Sequence, residues 1–181
     1  DGNNILYSTE QMDRTDDEIN IIEAGKNYGW DQVSGYCDNN VNGYKIGQNT
    51  SANEGAFCSV TPTHQEPIFT TFTETAANMP ALMAQSNNQL WPTIASSSVD
   101  FYGQNKIPGW NYSLLISPLK KDRIYRVSLN ATGTDVIGDT IPYFRNDGNR
   151  IRRVTISSDG LKFYVARDAG ATINGGAIME Y

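Results

Sequence analysis

The sequence predicts an all-β fold of short antiparallel strands, of the propeller type. Three observations carry that reading. Short β-rich runs recur in the second half of the chain: "SLLISPL", "RIYRVSL", "RVTISS", "LKFYVA" and "AIMEY". Turn chemistry separates them, in "KKD", "NATGT", "NDGN", "SSDG" and "NGG". An Asp-Gly step leading into an apolar stretch with a tyrosine occurs twice, as "DGNNILYSTEQ" from residue 1 and "DGLKFYVARDA" from residue 159. In the second copy "RIRRVTISS" runs straight into the Asp-Gly, which reads as a hairpin. A hairpin repeated at both ends of a chain favours a propeller over a sandwich or barrel, because a propeller repeats one four-stranded meander. Helix is expected only as a turn around "DDEINIIEAG".

Composition narrows the partners. The chain of 181 residues is about the size of one domain, read as a single unit over 1–181 with a long, polar, inserted loop at 39–66. Its net charge of −6 argues against nucleic acid or an anionic membrane surface as the main partner. No apolar run approaches the roughly 18 residues of a membrane span. The sequence opens on Asp1 without an initiator Met or leader, as a mature, processed or truncated chain would. Cys37 and Cys58 lie in loop-like sequence, and an even count in an Asn-, Thr-, Ser- and Gly-rich chain suits one disulfide in a periplasmic or secreted protein; two free thiols are the alternative. Three glycosylation sequons, at Asn49, Asn111 and Asn130, add little, since so short a motif arises often by chance.

Four stretches offer chemistry. In "DRTDDEINII", with Asp38 downstream, Asp13, Asp16, Asp17, Glu18 and Asp38 are hard oxygen donors of the kind that fill a calcium shell, and the turn-rich "GKNYGWDQVSGY" has carbonyls to complete it. A solvated acidic surface is the plainer alternative. In "QLWPTIASSS" a Trp-Pro-Thr turn either presents the Trp91 indole to a planar ligand or plugs the core with it. In "LLISPLKKDRIYRVSL" a tight turn puts Lys120 or Lys121 at a hairpin tip. In "NRIRRVTIS" strand alternation puts Arg150 and Arg152 on one face and Ile151 and Arg153 on the other. Paired guanidiniums suit a carboxylate ligand; a solvent-facing basic strand is the alternative. The single histidine, His64, sits in a polar loop, and no catalytic triad, phosphate loop or zinc spacing is present.

At these residues the sequence resembles a known family. "TDDEINIIEAGKNYGW", "LWPTIASSSVDFYG", "IPGWNYSLLISPLKKDRIYRVSL" and "RNDGNRIRRVTISSDGLKFYVARDAG" are similar, in that order, to the soluble quinoprotein glucose/sorbosone dehydrogenases. The resemblance implies a six-bladed β-propeller that oxidises aldose sugars with pyrroloquinoline quinone (PQQ) and calcium. It runs over the C-terminal half of that family, roughly three blades, and begins inside a blade. The first strand of the opening hairpin and the rest of the propeller are thus expected upstream.

The resemblance also implies roles. Lys120, Arg150 and Arg152 match the cations that hold the carboxylates of the cofactor. Gln11 and Thr93 match cofactor contacts, and Trp91 the tryptophan beside cofactor and sugar. Glu18, Asp38 and the carbonyls of Tyr28, Ser34 and Tyr36 match a structural calcium site, with Glu66 as a further ligand. The carbonyls for the cofactor's calcium come in the family from a Gly-Pro step, which reads Met12-Asp13 here. The family's tyrosine three places before the tryptophan is Asn88 here. The catalytic base, a histidine of the N-terminal half, has no match in residues 1–181, and His64 is not at its place. The implied reaction is hydride transfer from the C1 carbon of an aldose to the quinone, giving a lactone, with electrons passed to an external acceptor. A non-catalytic extracellular propeller that binds carbohydrate or protein is the alternative.

Overall fold

The computed structural model describes residues 4–47, 51–144, 150–168 and 175–181. The opening Asp-Gly step, the Asn49 sequon and the "NDGN" turn lie outside them. The described chain is mostly sheet with few helices. It divides into two compact units, one of residues 10–93 and one of residues 1–9 with 94–181. Strand β1 (Tyr7–Glu10) carries the chain from the second into the first.

In the unit of residues 10–93, β2 (Asp17–Ile21) pairs antiparallel with β3 (Phe69–Thr71), with Ile19 opposite Phe69. This corrects the helical turn expected around "DDEINIIEAG". Isoleucines at 19, 21 and 22 favour a pleated surface, and Asp17 through Asn20 are all buried, which a one-sided helix of that composition does not achieve. The stretch 39–66 is less irregular than its composition suggests. It contains α1 (Glu54–Val60), capped by Asn53, whose side chain accepts from Ala56 N–H. The Cys37–Cys58 disulfide, expected from the sequence, ties α1 to the segment before it. Helix α2 (Met79–Ala84) follows, with Pro80 in its first turn, and a 3₁₀ turn spans Asn88–Leu90. The core is Val41, Ile46, Ala52, Met79 and Leu82, with Tyr44, Met83 and Trp91 packed against it.

The second unit contains an antiparallel meander of β4 (Ser96–Tyr102), β5 (Ser113–Pro118), β6 (Ile124–Leu129) and β7 (Val136–Tyr143) in that order. A four-stranded meander is the pattern of a propeller blade. Strand β5, buried along its whole length, reads as the near-continuous apolar run of an inner strand. Strands β8 (Ile151–Ile156), β9 (Phe163–Arg167) and β10 (Ala177–Glu180) form a second sheet in the order β10-β9-β8. Tyr102, Trp110, Leu115, Ile124, Ile151, Val154, Phe163 and Val165 fill the core between the two sheets. The N-terminal segment joins this unit through Tyr7, whose hydroxyl donates to Gly133 O at 2.8 Å and whose ring stacks on Phe101.

The expected β8–β9 hairpin is present, and its turn explains the Asp-Gly signal. Gly160 has φ +71°, and a Cβ there would lie 2.8 Å from Gln104 Cβ and Cγ. Asp159 Oδ1 accepts from Ser157 Oγ at 2.6 Å and from Leu161 N–H at 3.0 Å. Gly160→Ala is expected to cost about 1–2 kcal/mol from the left-handed backbone alone, read as a lowered midpoint in denaturant; an unchanged midpoint refutes it.

Candidate cofactor and metal sites

In the unit of 94–181 the sequence-predicted cations lie on two neighbouring sheets, Lys120 on that of β4–β7 and Arg150 and Arg152 on that of β8–β10. Lys120 follows β5 in the turn to β6, and its N–H donates to Ile94 O at 3.1 Å. Arg150 and Arg152 enter β8. One hydroxyl ties the two places together. Ser97 Oγ lies 2.9 Å from Ser117 O, three residues before Lys120, 3.2 Å from Ile151 O and 3.1 Å from Arg152 O. Ser98 extends the tie, donating to Ser117 Oγ and accepting from Val154 N–H.

Strict alternation does not hold along β8. The register slips between Ile151 and Arg153, so Arg152 sits on a bulge, and Arg152 and Arg153 are both exposed while Ile151 and Val154 are buried. The bulge re-aims the strand at the residue the sequence singled out. Arg152 is held there by Asp168, with Nη2 at 2.6 Å and Nε at 3.1 Å from Oδ2. Asp168 N–H in turn donates to Arg150 O at 2.8 Å, which fixes the ends of β8 and β9 relative to one another.

In the unit of 10–93, Trp91 packs as the core reading expects. It packs against the Val41–Leu82 core and remains half-buried. Its indole N–H donates to Gln85 O at 2.8 Å. The Arg14 guanidinium lies over the ring, 4.7 Å from its centre, and donates to Met83 O at 2.8 Å. Thr93 is buried, with its N–H turned back onto Trp91 O at 2.8 Å in a tight turn. Gln11 is exposed; Met12 is buried and its N–H donates to Asp17 Oδ1 at 3.0 Å; Asp13 is half-buried.

The same unit buries an unusual density of carboxylates around the loop 34–40. Gly35 N–H donates to Glu18 Oε1 at 2.7 Å and Ser34 N–H to Glu54 Oε1 at 3.3 Å. Cys37 N–H donates to Glu66 Oε1, and Asn40 Nδ2 to Asp16 Oδ2, both at 3.3 Å. Asp38, exposed, accepts from Asn40 N–H at 2.9 Å. Gly35 has φ +75° and a Cβ there would meet Asp16 Cβ at 2.8 Å, so the loop passes this close only because the residue is glycine.

Asp16, Glu18 and Glu54 are each at most 1% exposed. Burial pushes Glu18 up to about 8, Glu54 to about 7 and Asp16 to about 6, against hydrogen bonds that pull each down. Asp16 Oδ1, Glu54 Oε2, Asn20 Oδ1 and Asn40 Oδ1 are buried acceptors with no hydrogen-bond donor among the described residues. No lysine or arginine pairs with Asp16 or Glu54 there. Buried acceptors without donors are costly unless a cation or a proton satisfies them. Carboxylate and amide oxygens are the donors a hard cation such as Ca²⁺ takes, although among the described residues no three of these carboxylates bring oxygens within 4.8 Å of one another.

The glucose/sorbosone dehydrogenase family model matches residues 1–63 and 63–175. The chain belongs to this family. Among curated glucose/sorbosone dehydrogenase relatives, quinoprotein glucose dehydrogenase B of Acinetobacter calcoaceticus is 32% identical over 193 aligned positions, covering 94% of this chain and 40% of that protein. Aldose sugar dehydrogenase YliI of Escherichia coli K12 is 28% identical, covering 91% of this chain and 36% of that protein. The chain thus spans about 40% of the length of the relatives it matches. Among solved structures, the apo form of the soluble E. coli aldose sugar dehydrogenase superposes with a TM-score of 0.64 at 27% identity over 98% of this chain and 40% of that one. The PQQ-bound aldose sugar dehydrogenase of Streptomyces coelicolor superposes with a TM-score of 0.61 over 99% of this chain and 40% of its own length, and at 18% identity it speaks to the fold alone.

Of the expected calcium ligands, Ser34, Tyr36 and Asp38 lie in the 34–40 loop, and Glu18 and Glu66 reach it by accepting from Gly35 and Cys37 N–H. Tyr28 donates its hydroxyl hydrogen to Ile21 O at 2.9 Å, beside β2. Sequence reasoning passed over Glu54. A glutamate inside a polar, apparently irregular stretch gives no signal; its place after the capping residue Asn53 in "NEGAFC" is what could have flagged a helix, and hence a fixed carboxylate.

Proposed function

We propose that the protein carrying this chain is a quinoprotein oxidoreductase that oxidises aldose sugars at C1 to the lactone, using PQQ and calcium and an external electron acceptor, in the periplasm or outside the cell. Residues 1–181 supply roughly three blades of a six-bladed propeller, and the base that takes the hydroxyl proton comes from the remainder. The observation that carries the reading lies in the 94–181 unit, where Ser97 ties the Lys120 turn to the Arg152 bulge. Three cations from two sheets tied together by Ser97 are the donor type a planar tricarboxylate takes. When bound, PQQ supplies the hydride acceptor. Lys120, Arg150 and Arg152 hold its carboxylates, and Asp168 keeps the Arg152 fork extended until a carboxylate of the ligand competes for it. The family resemblance adds Gln11, Trp91 and Thr93 as cofactor contacts, with the carbonyls of Met12 and Asp13 for the cofactor's calcium. A structural calcium is held by Glu18, Asp38, Glu66 and the carbonyls of Tyr28, Ser34 and Tyr36. The buried, donorless oxygens of Asp16 and Glu54 support a cation there.

Titration of the whole protein with PQQ, followed by sugar-dependent reduction, tests this. Each charge-assisted contact contributes about 1.5–3 kcal/mol, so Arg152→Ala is expected to weaken PQQ binding by roughly ten- to a hundredfold. Absence of PQQ binding, or binding untouched by Arg152→Ala, overturns the enzyme reading and leaves a carbohydrate- or protein-binding propeller.

A further inference from the structure

Cys37, Cys58 and His64 form a cluster of ligand-type side chains, of softer chemistry than the carboxylates. One ligand atom from each lies within 4.8 Å of the other two. The cysteines are joined as a disulfide with Cα atoms 6.5 Å apart, and His64 Nδ1 lies 3.5 Å from Cys37 Sγ. The three come from separately anchored places. Cys58 is on α1, one residue after Phe57, whose ring meets the His64 imidazole edge-on at 5.6 Å. His64 is held through its backbone, its N–H donating to Thr61 O at 2.9 Å, and by bonds of the flanking Thr63 O and Gln65 N–H to Asn27 at 3.0 and 2.8 Å. Cys37 is fixed by its N–H to Glu66. His64 Nε2 is buried and has no hydrogen-bond partner among the described residues, so the fold holds the ring without using its far nitrogen.

We propose that reduction of Cys37–Cys58 turns this cluster into a two-thiolate, one-imidazole site for a thiophilic divalent cation of the zinc class, with water in the fourth position. Metal–sulfur bonds of about 2.3 Å and metal–nitrogen bonds of about 2.0 Å at tetrahedral angles put neighbouring N and S ligand atoms roughly 3.5 Å apart. The His64–Cys37 separation already has that value. In the step, a dithiol or phosphine reductant donates two electrons. The S–S bond breaks, two protons are taken up, and the reductant becomes a cyclic disulfide or, with water, a phosphine oxide. Binding of one M²⁺ then releases the two thiol protons, so the dication is neutralised by two thiolates. While oxidised, the sulfurs carry no thiolate and the site is closed to metal. This inference stands independently of the sugar dehydrogenase reading.

The test uses the intact protein with calcium present, so that hard sites are filled, and Co²⁺ as a visible stand-in for zinc. After phosphine reduction and removal of the reductant without oxygen, one equivalent of Co²⁺ is expected to give a thiolate-to-cobalt charge-transfer band and tetrahedral visible bands, which Zn²⁺ bleaches. The oxidised protein gives neither. His64→Ala still forms the disulfide when oxidised, by mass, and once reduced it binds Co²⁺ at least about a hundredfold more weakly. A Cys37→Ser, Cys58→Ser variant loses the charge-transfer band altogether. No band in the reduced protein, equal affinity in His64→Ala, or the same spectrum from oxidised protein each overturns the proposal, as does a reduced protein that loses its sheet dichroism and does not regain it with metal.

Discussion

A chelator added to the calcium-loaded protein is expected to lower its melting temperature by on the order of 10 °C. A ligand at about a thousand times its Kd adds about 4 kcal/mol to folded-state stability, and about 1 kcal/mol moves the midpoint of a chain this size by roughly 2–4 °C. The pH dependence follows from the buried carboxylates. Without metal, Glu18, Glu54 and Asp16 hold protons more tightly folded than unfolded, with values of about 8, 7 and 6. Between the ordinary carboxylate range near pH 4 and about pH 8, the metal-free folded state therefore binds more protons than the unfolded one, and stability falls as pH rises through that window. Calcium flattens that slope by taking the protons' place. Glu18→Gln, a neutral isostere, should melt higher than the parent in chelator at pH 8 and lower than the parent in calcium. Asp38→Ala should remove much of the calcium response without that gain. Melting identical in chelator and calcium at pH 8 refutes the site.

Loss of the Cys37–Cys58 bond is expected to cost roughly 3 kcal/mol, because it closes a loop of 21 residues in the unfolded chain. The consequence for the metal is specific. Asp38, Asn40 and Glu54 all lie inside that loop, so the Cys37→Ser, Cys58→Ser variant should also bind calcium more weakly, beyond its general loss of stability. Calorimetric titration at a temperature where the variant is fully folded separates the two. Unchanged calcium affinity there means the loop holds its carboxylates without the crosslink.

The second half of the fold was legible because its signals are local. "SLLISP", "IYRVSL" and "FYVAR" are β-rich runs bounded by turn residues, and Asp159-Gly160 has a turn that only glycine fits. Strand β7, with Gly138 and Pro142 inside it, carries no such signal and forms because β6 offers it a partner. Strand β2 was read as a helical turn because its acidic residues resemble a solvated helix start, whereas tertiary pairing buries them. At the sites, residue type was legible and geometry was not. Arg152 was singled out by its neighbours in sequence, but the bulge that aims it depends on register with β9. Glu54 was missed since nothing in a polar stretch marks which carboxylate will be buried.

The three tryptophans fall in different surroundings, and this offers an optical handle. Trp110 is the single tryptophan of the 94–181 unit, 9% exposed and ringed by Tyr102, Tyr143, Phe144 and Phe163. Trp30 and Trp91 belong to the other unit. With Trp30→Phe and Trp91→Phe, fluorescence from the remaining indole reports melting of the unit that carries Lys120 and Arg152 alone, while a Trp110→Phe chain reports the unit that holds the carboxylates. Calcium should then move one emission transition directly, and the lag or coincidence of the other measures how far the two units unfold as one cooperative body.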